Sequence, residues 1–177
     1  MAKIVDLNEY RTHQAEARCY GLWQKRFGEG YGLRTRLVDL SDRVVAYLAT
    51  PGDDSNAAFY DLIMGALGFE APAGFYDLGN EERLAVVDIH LFLADQVRFE
   101  MMRRLGWLKI SAAADIALVD LIRDFERFKR EMRNQPPELI ESHPEYPAFK
   151  QLPVRDREVF VRQMLRGALE VFAKGLK

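Results

Sequence analysis

Asp88, His90, Asp95 and Arg98 are the side chains whose types and crowding come nearest to a chemical site in this sequence. Two carboxylates, an imidazole and a guanidinium could orient a polar ligand or move a proton. If the segment is helical, the spacing divides them. His90 is turned about 160° from Asp88, whereas Asp88 and Asp95, two turns apart, share a face. The acids also have an ordinary explanation as helix-neighbour pairs, Asp95 with Arg98 and Glu100 with Arg103 or Arg104.

Other chemistries lack their parts. A carboxylate-bridged di-metal bundle needs Glu-x-x-His on two helices. None of His13, His90 and His143 has a glutamate three residues before it, so no metal site and no cofactor is expected. Gly28, Gly30 and Gly32, flanked by Lys25, Arg26, Arg34 and Arg36, have the look of a phosphate-cradling loop. The lysine–hydroxyl pair and the preceding strand of such loops are missing, and a connection between helices is expected instead. Cys19 has no nearby histidine or second cysteine to activate it. No catalytic residue is assigned.

The elements that must position these residues read as helices almost throughout, with no period-two run rich in β-branched residues. Asp6 and Glu9 fit a capping box that opens a first helix through about Phe27. A second is expected from about Thr35 to Ala49, and a third from the caps at 53–55 to Leu67, with Gly68 as its left-handed stop. After turns at Pro72, Gly74 and Gly79, Asn80 is expected to cap a long helix over about 81–105, stopped by Gly106. Its apolar residues nearly encircle it. Leu84, Val87, Leu91, Ala94, Met101 and Leu105 lie to one side and Phe92 and Phe99 near the other, which makes it the central helix of a bundle. A fifth helix is expected from about Ser111 to Arg133, and a sixth from about Val154 to Lys174 with a stripe of Phe160, Met164, Leu165, Ala168, Leu169 and Phe172.

The fold class is therefore all-α: residues 1–177 form a single-domain helical bundle of about six helices around a long central one. Between the fifth and sixth helices, at about 134–153, runs an arm holding Pro136, Pro137, Pro144, Pro147 and Pro153, with at most one helical turn at 138–141. Within it, Tyr146 and Phe149 could anchor a protein partner or plug gaps in the arm's own bundle.

Composition narrows the function classes. With 177 residues, 49% of them hydrophobic and 29% charged, the chain has the makings of a packed core without disulfides or metal. A net charge of -2, with no basic helix after a tight turn, speaks against nucleic acid. The most apolar stretch, 84–108, is interrupted by too many charges for a membrane span. A lone cysteine, and an acid as early as Asp6, point to the cytoplasm.

The reading these observations favour is a non-enzymatic bundle acting through protein contacts, a homodimer included, with Val161 and Val171 outside the last helix's stripe as contacts. The alternative is a small-molecule-binding bundle or enzyme whose pocket lies beside the central helix and uses Asp88, His90, Asp95 or Arg98. Convergence of those residues on a sizeable cavity favours the alternative, and tight apolar packing there favours the first.

Overall fold

A computed structural model describes residues 6–69 and 74–176. Residues 1–5 and Pro72 of the expected turn lie outside them. The described residues form nine α-helices, α1 (Leu7–Phe27), α2 (Asp42–Ala49), α3 (Asp53–Ala66), α4 (Asn80–Arg104), α5 (Leu118–Arg123), α6 (Phe125–Arg133), α7 (Tyr146–Gln151), α8 (Val154–Gln163) and α9 (Leu165–Gly175). The fold is all-α, and among these residues no helix is long and apolar enough to cross a membrane.

Helix boundaries follow local chemistry. Asp6 caps α1 by accepting from the Asn8 backbone N–H at 2.8 Å, and Gly28, in the left-handed region, ends it. Gly68 and Gly106 take positive φ just beyond α3 and α4, as their positions in the sequence require. At the start of α4 the N-cap is Gly79 rather than Asn80, and the Glu82 carboxylate accepts from the Gly79 N–H.

Three expected helices are divided. Residues 35–41 leave the second one: a 3-10 turn at Leu37–Asp39 precedes Ser41, whose hydroxyl caps α2. Here the backbone pairs with 114–118 instead, through Val38 N–H to Ala114 O and Leu118 N–H to Thr35 O. The same pairing holds 111–117 outside the fifth helix, and the remainder breaks at Asp124 into α5 and α6. The sixth bends at Met164 into α8 and α9. No Gly or Pro marks the breaks at 124 and 164, so periodicity alone passes over them.

The proline-rich arm lies along its own bundle. Leu139 is buried and pairs with Leu108 in a short antiparallel bridge, which replaces the helical turn expected at 138–141. The helical turn of the arm is α7, where Phe149 is 1% exposed and packs on Tyr146 and Phe160.

Helix α4 packs on α2, α3, α9 and the turn at 37–39. Its buried side runs through Val86, Ile89, Phe92, Leu93, Val97, Phe99, Met101 and Met102. Leu84 and Leu91, expected inward, are exposed, so the helix is central mainly in its C-terminal half. There Glu100, 0% exposed, receives Arg103 at 2.8 Å and Arg104 at 2.9 Å. Arg104 also donates to the carbonyls of Leu40 and Leu37 and meets Asp42 at 2.8 Å. Burial opposes charge on Glu100, but the hydrogen bonds from Arg103 and Arg104 outweigh it and hold the carboxyl below the usual glutamate value.

The approach of α1 to α3 depends on Gly65, where an added Cβ would stand 2.2 Å from the Arg18 carbonyl oxygen and 2.9 Å from the Cys19 Cα. Both obstacles are backbone and cannot swing aside. Gly65→Ala should therefore cost roughly 2 kcal/mol or more, seen in denaturant melts as a lower midpoint at unchanged slope. Glu100→Gln should cost about 3 to 5 kcal/mol, because it leaves two guanidiniums without their buried counter-charge. A lowered folded pKa contributes stability that is complete above the ordinary value of 4.5 and is lost as pH falls through the folded value. The variant's melts should show a correspondingly shallower acid limb.

Candidate ligand cavity beside the central helix

The outward side of α4 faces a cavity of about 520 Å³. From α4 the wall takes Asp88, Leu91, Phe92, Asp95, Gln96, Arg98 and Phe99. Helix α6 supplies Lys129, Met132 and Arg133, and α8 supplies Glu158 and Arg162. The loop segments at 110–112 and 135–137 complete it. Helix α6 touches α4 through Phe125 on Phe92, with ring centroids 5.5 Å apart, α8 touches it through Arg162 on Asp95, and the cavity lies between them.

An ion-pair chain crosses one side. Asp95 Oδ1 stands 3.6 Å from Arg98 Nη1, and Asp95 Oδ2 stands 2.8 Å from Arg162 Nη2, which also reaches Glu158 Oε1 at 2.6 Å. Arg98 donates in addition to the Ala49 carbonyl at the end of α2. A smaller cavity of about 60 Å³ lies against the same Asp95, Arg98 and Arg162. Burial pushes the Asp95 carboxyl above the usual aspartate value, against the pull of Arg162 and Arg98. With guanidiniums on both carboxylates, neither Asp95 nor Glu158 is free to act as a base.

Other polar groups of the wall are uncommitted. The buried Ser111 hydroxyl has no hydrogen-bond partner. Asp88, Lys129 and Arg133 make no ion pair among the described residues. Lys129 does lie over the Phe125 ring, at 5.1 Å. Unpaired polar groups around a half-open cleft are what a ligand with matching groups would satisfy.

Of the four α4 residues singled out in the sequence, Asp88, Asp95 and Arg98 meet at this cavity. His90 does not: it packs on Phe59 and Tyr60 at 5.3 and 5.0 Å, and burial followed by the Arg98 charge lowers its pKa. The contribution of α6 and α8 was missed, since Lys129, Arg133, Glu158 and Arg162 lie on amphipathic helices whose charges read as solvated faces.

The residues expected to contact a partner separate in the same way. Phe149 and Val161 are buried within the chain, Tyr146 is partly covered, and Val171 alone is well exposed, at 46%. Burial of Val161 means that Val161→Glu would disturb the core instead of a surface. The glycine loop is tied into the fold, with Glu29 accepting from Ser41 and Arg43 and with Arg26 on Asp61. Cys19 is buried, which raises its thiol pKa and disfavours the nucleophilic thiolate. Among the described residues no group of three or more His, Cys, Asp or Glu side chains is placed to hold a metal.

Because the fold binds the Asp95 proton more tightly than the unfolded chain does, the linkage runs opposite to that of Glu100. Its stabilising contribution is complete below the ordinary value of 3.8 and is lost as pH rises through the folded value. Asp95→Asn, permanently neutral, should therefore cost less than about 1 kcal/mol at neutral pH. A loss of several kcal/mol in denaturant melts would show instead that the pair with Arg162 pins α8 to the bundle.

No family model, curated protein or solved structure matches this chain.

Proposed function

We propose that this chain is a small-molecule-binding helical bundle whose site is the cavity between α4, α6 and α8. One observation carries the reading: Asp88, Asp95 and Arg98 of α4 meet Lys129, Arg133, Glu158 and Arg162 around a half-open cleft of about 520 Å³ whose wall also takes in Leu91, Phe92, Phe99 and Ile110. That volume lies within the range of about 300 to 1,000 Å³ usual for small-ligand pockets. The chemistry supports binding more directly than catalysis, because two of the three carboxylates of the wall, Asp95 and Glu158, are matched by arginines. The protein-contact reading, a homodimer included, has less to stand on, since burial takes Phe149 and Val161 away from it.

Ala112 lines the cavity without taking part in any ion pair, which makes Ala112→Trp a means of filling it. Native mass spectrometry of protein purified from its own cells should show a retained small molecule on the wild type and none on the variant. At about 100 times its dissociation constant that molecule should raise the wild-type melting temperature by roughly 5 to 10 °C. The variant, melting like the ligand-free wild type, should not respond. Bare protein in the mass spectrum, with no thermal response to cell extract, would overturn the proposal.

A further inference from the structure

Resting on that reading, the geometry points to the class of ligand: an amphipathic organic anion, its head between Lys129 and Arg133 of α6 and its apolar body over Leu91 and Ile110. The wall contains four cations, Arg98, Lys129, Arg133 and Arg162, against three acids, Asp88, Asp95 and Glu158. These charges are not equivalent. Arg98 and Arg162 are already engaged by Asp95 and Glu158, and Arg98 also caps α2. Lys129 and Arg133 are left, one turn apart on the same face of α6, where like charges repel. An anion between them would remove that repulsion. The acids of α6, Glu126 and Glu131, form no ion pair with Lys129 or Arg133 among the described residues.

The apolar half of the ligand follows from exposure. Leu91 and Ile110 are 57% and 55% exposed although both belong to the cavity wall, and half-buried Met132 and buried Phe92 lie with them. A hydrocarbon or aromatic body against these side chains would withdraw apolar surface from water on both sides. Asp88, unpaired on the α4 wall, repels an anionic head and so favours its placement on the α6 side. Carboxylates and phosphate monoesters share the required chemistry.

The test is calorimetric titration of the full chain with octanoate, octyl phosphate, octanol and octylamine, on wild type, Lys129→Ala, Arg133→Ala, Arg133→Glu and Ala112→Trp. Arg166→Ala serves as a control, its side chain being 93% exposed and outside the wall. Octanoate or octyl phosphate should bind, and which of the two binds tighter identifies the head. Octanol and octylamine should bind at least tenfold more weakly. Either alanine variant should weaken the anion at least tenfold, Arg133→Glu and Ala112→Trp should abolish binding, and Arg166→Ala should leave it unchanged. Melting temperatures of the ligand-free variants check that they are folded.

Equal binding of octanol, tighter binding of octylamine, or alanine variants that bind like wild type would overturn the anion assignment. If such binding is still blocked by Ala112→Trp, the cavity reading survives that failure. No binding by any probe also overturns this inference, and the retained-ligand measurement then decides the cavity reading separately.

Discussion

The buried Glu100 carboxylate is the constraint around which the middle of the chain is arranged. A charge at 0% exposure is tolerable only when its lone pairs are filled, and Arg103 and Arg104 fill them from the same helix. Arg104 then has donors to spare, and they go to the Leu37 and Leu40 carbonyls and the Asp42 carboxylate. The Leu37 carbonyl accepts both Arg104 and the Leu40 N–H of the 3-10 turn, so Arg104 ties 35–41 to α4 in its non-helical course. The same anchoring fixes where this part of α4 sits, and with it the positions of Arg98 and Asp95 within about a turn and a half before Glu100.

Arginines recur as caps supplied from a distance. The last carbonyls of a helix have no partner within it and carry partial negative charge. Arg43 reaches Phe27 at the end of α1, Arg98 reaches Ala49 at the end of α2, and Arg18 and Arg123 reach Gly65 and Ala66 at the end of α3. Arg157 does the same for Lys150 and Leu152 around the end of α7. A bundle of short helices exposes many such ends, and this one satisfies them with cations from neighbouring elements. Many of the charges are therefore spoken for by the fold, which gives the few uncommitted ones around the cavity more weight as ligand groups.

What the sequence discloses is what acts locally. The all-α class, the long fourth helix, the left-handed glycines after α1, α3 and α4, and the turning of His90 away from Asp88 follow from periodicity and caps. The breaks at Ser41, Asp124 and Met164 do not. The first arises from pairing of 35–38 with 114–118, a contact between distant parts of the chain, and the other two occur at residues that ordinary helices accept. The cavity divides along the same line. Its α4 wall was legible because helix geometry assigns residues to faces, whereas the α6 and α8 walls depend on how those helices are brought back to α4. Glu100 shows the limit most clearly: its partners were predictable from spacing, its complete burial was not.

The position of the cavity has a physical explanation in the division of α4 into two kinds of surface. On its inner side the helix meets α2, α9 and the 37–39 turn through apolar side chains and the Glu100 cluster. Its outward face alternates Leu84, Asp88, Leu91 and Asp95, and no helix can lie flat on it without stripping water from two carboxylates. Helix α8 reaches that face with Arg162 on Asp95, and α6 bounds the cavity with Lys129 and Arg133. Replacing Asp95 and Arg162 with apolar residues would let the walls close, and stability alone would favour that exchange. The pair stands where apolar and charged side chains of the central helix share the cavity wall.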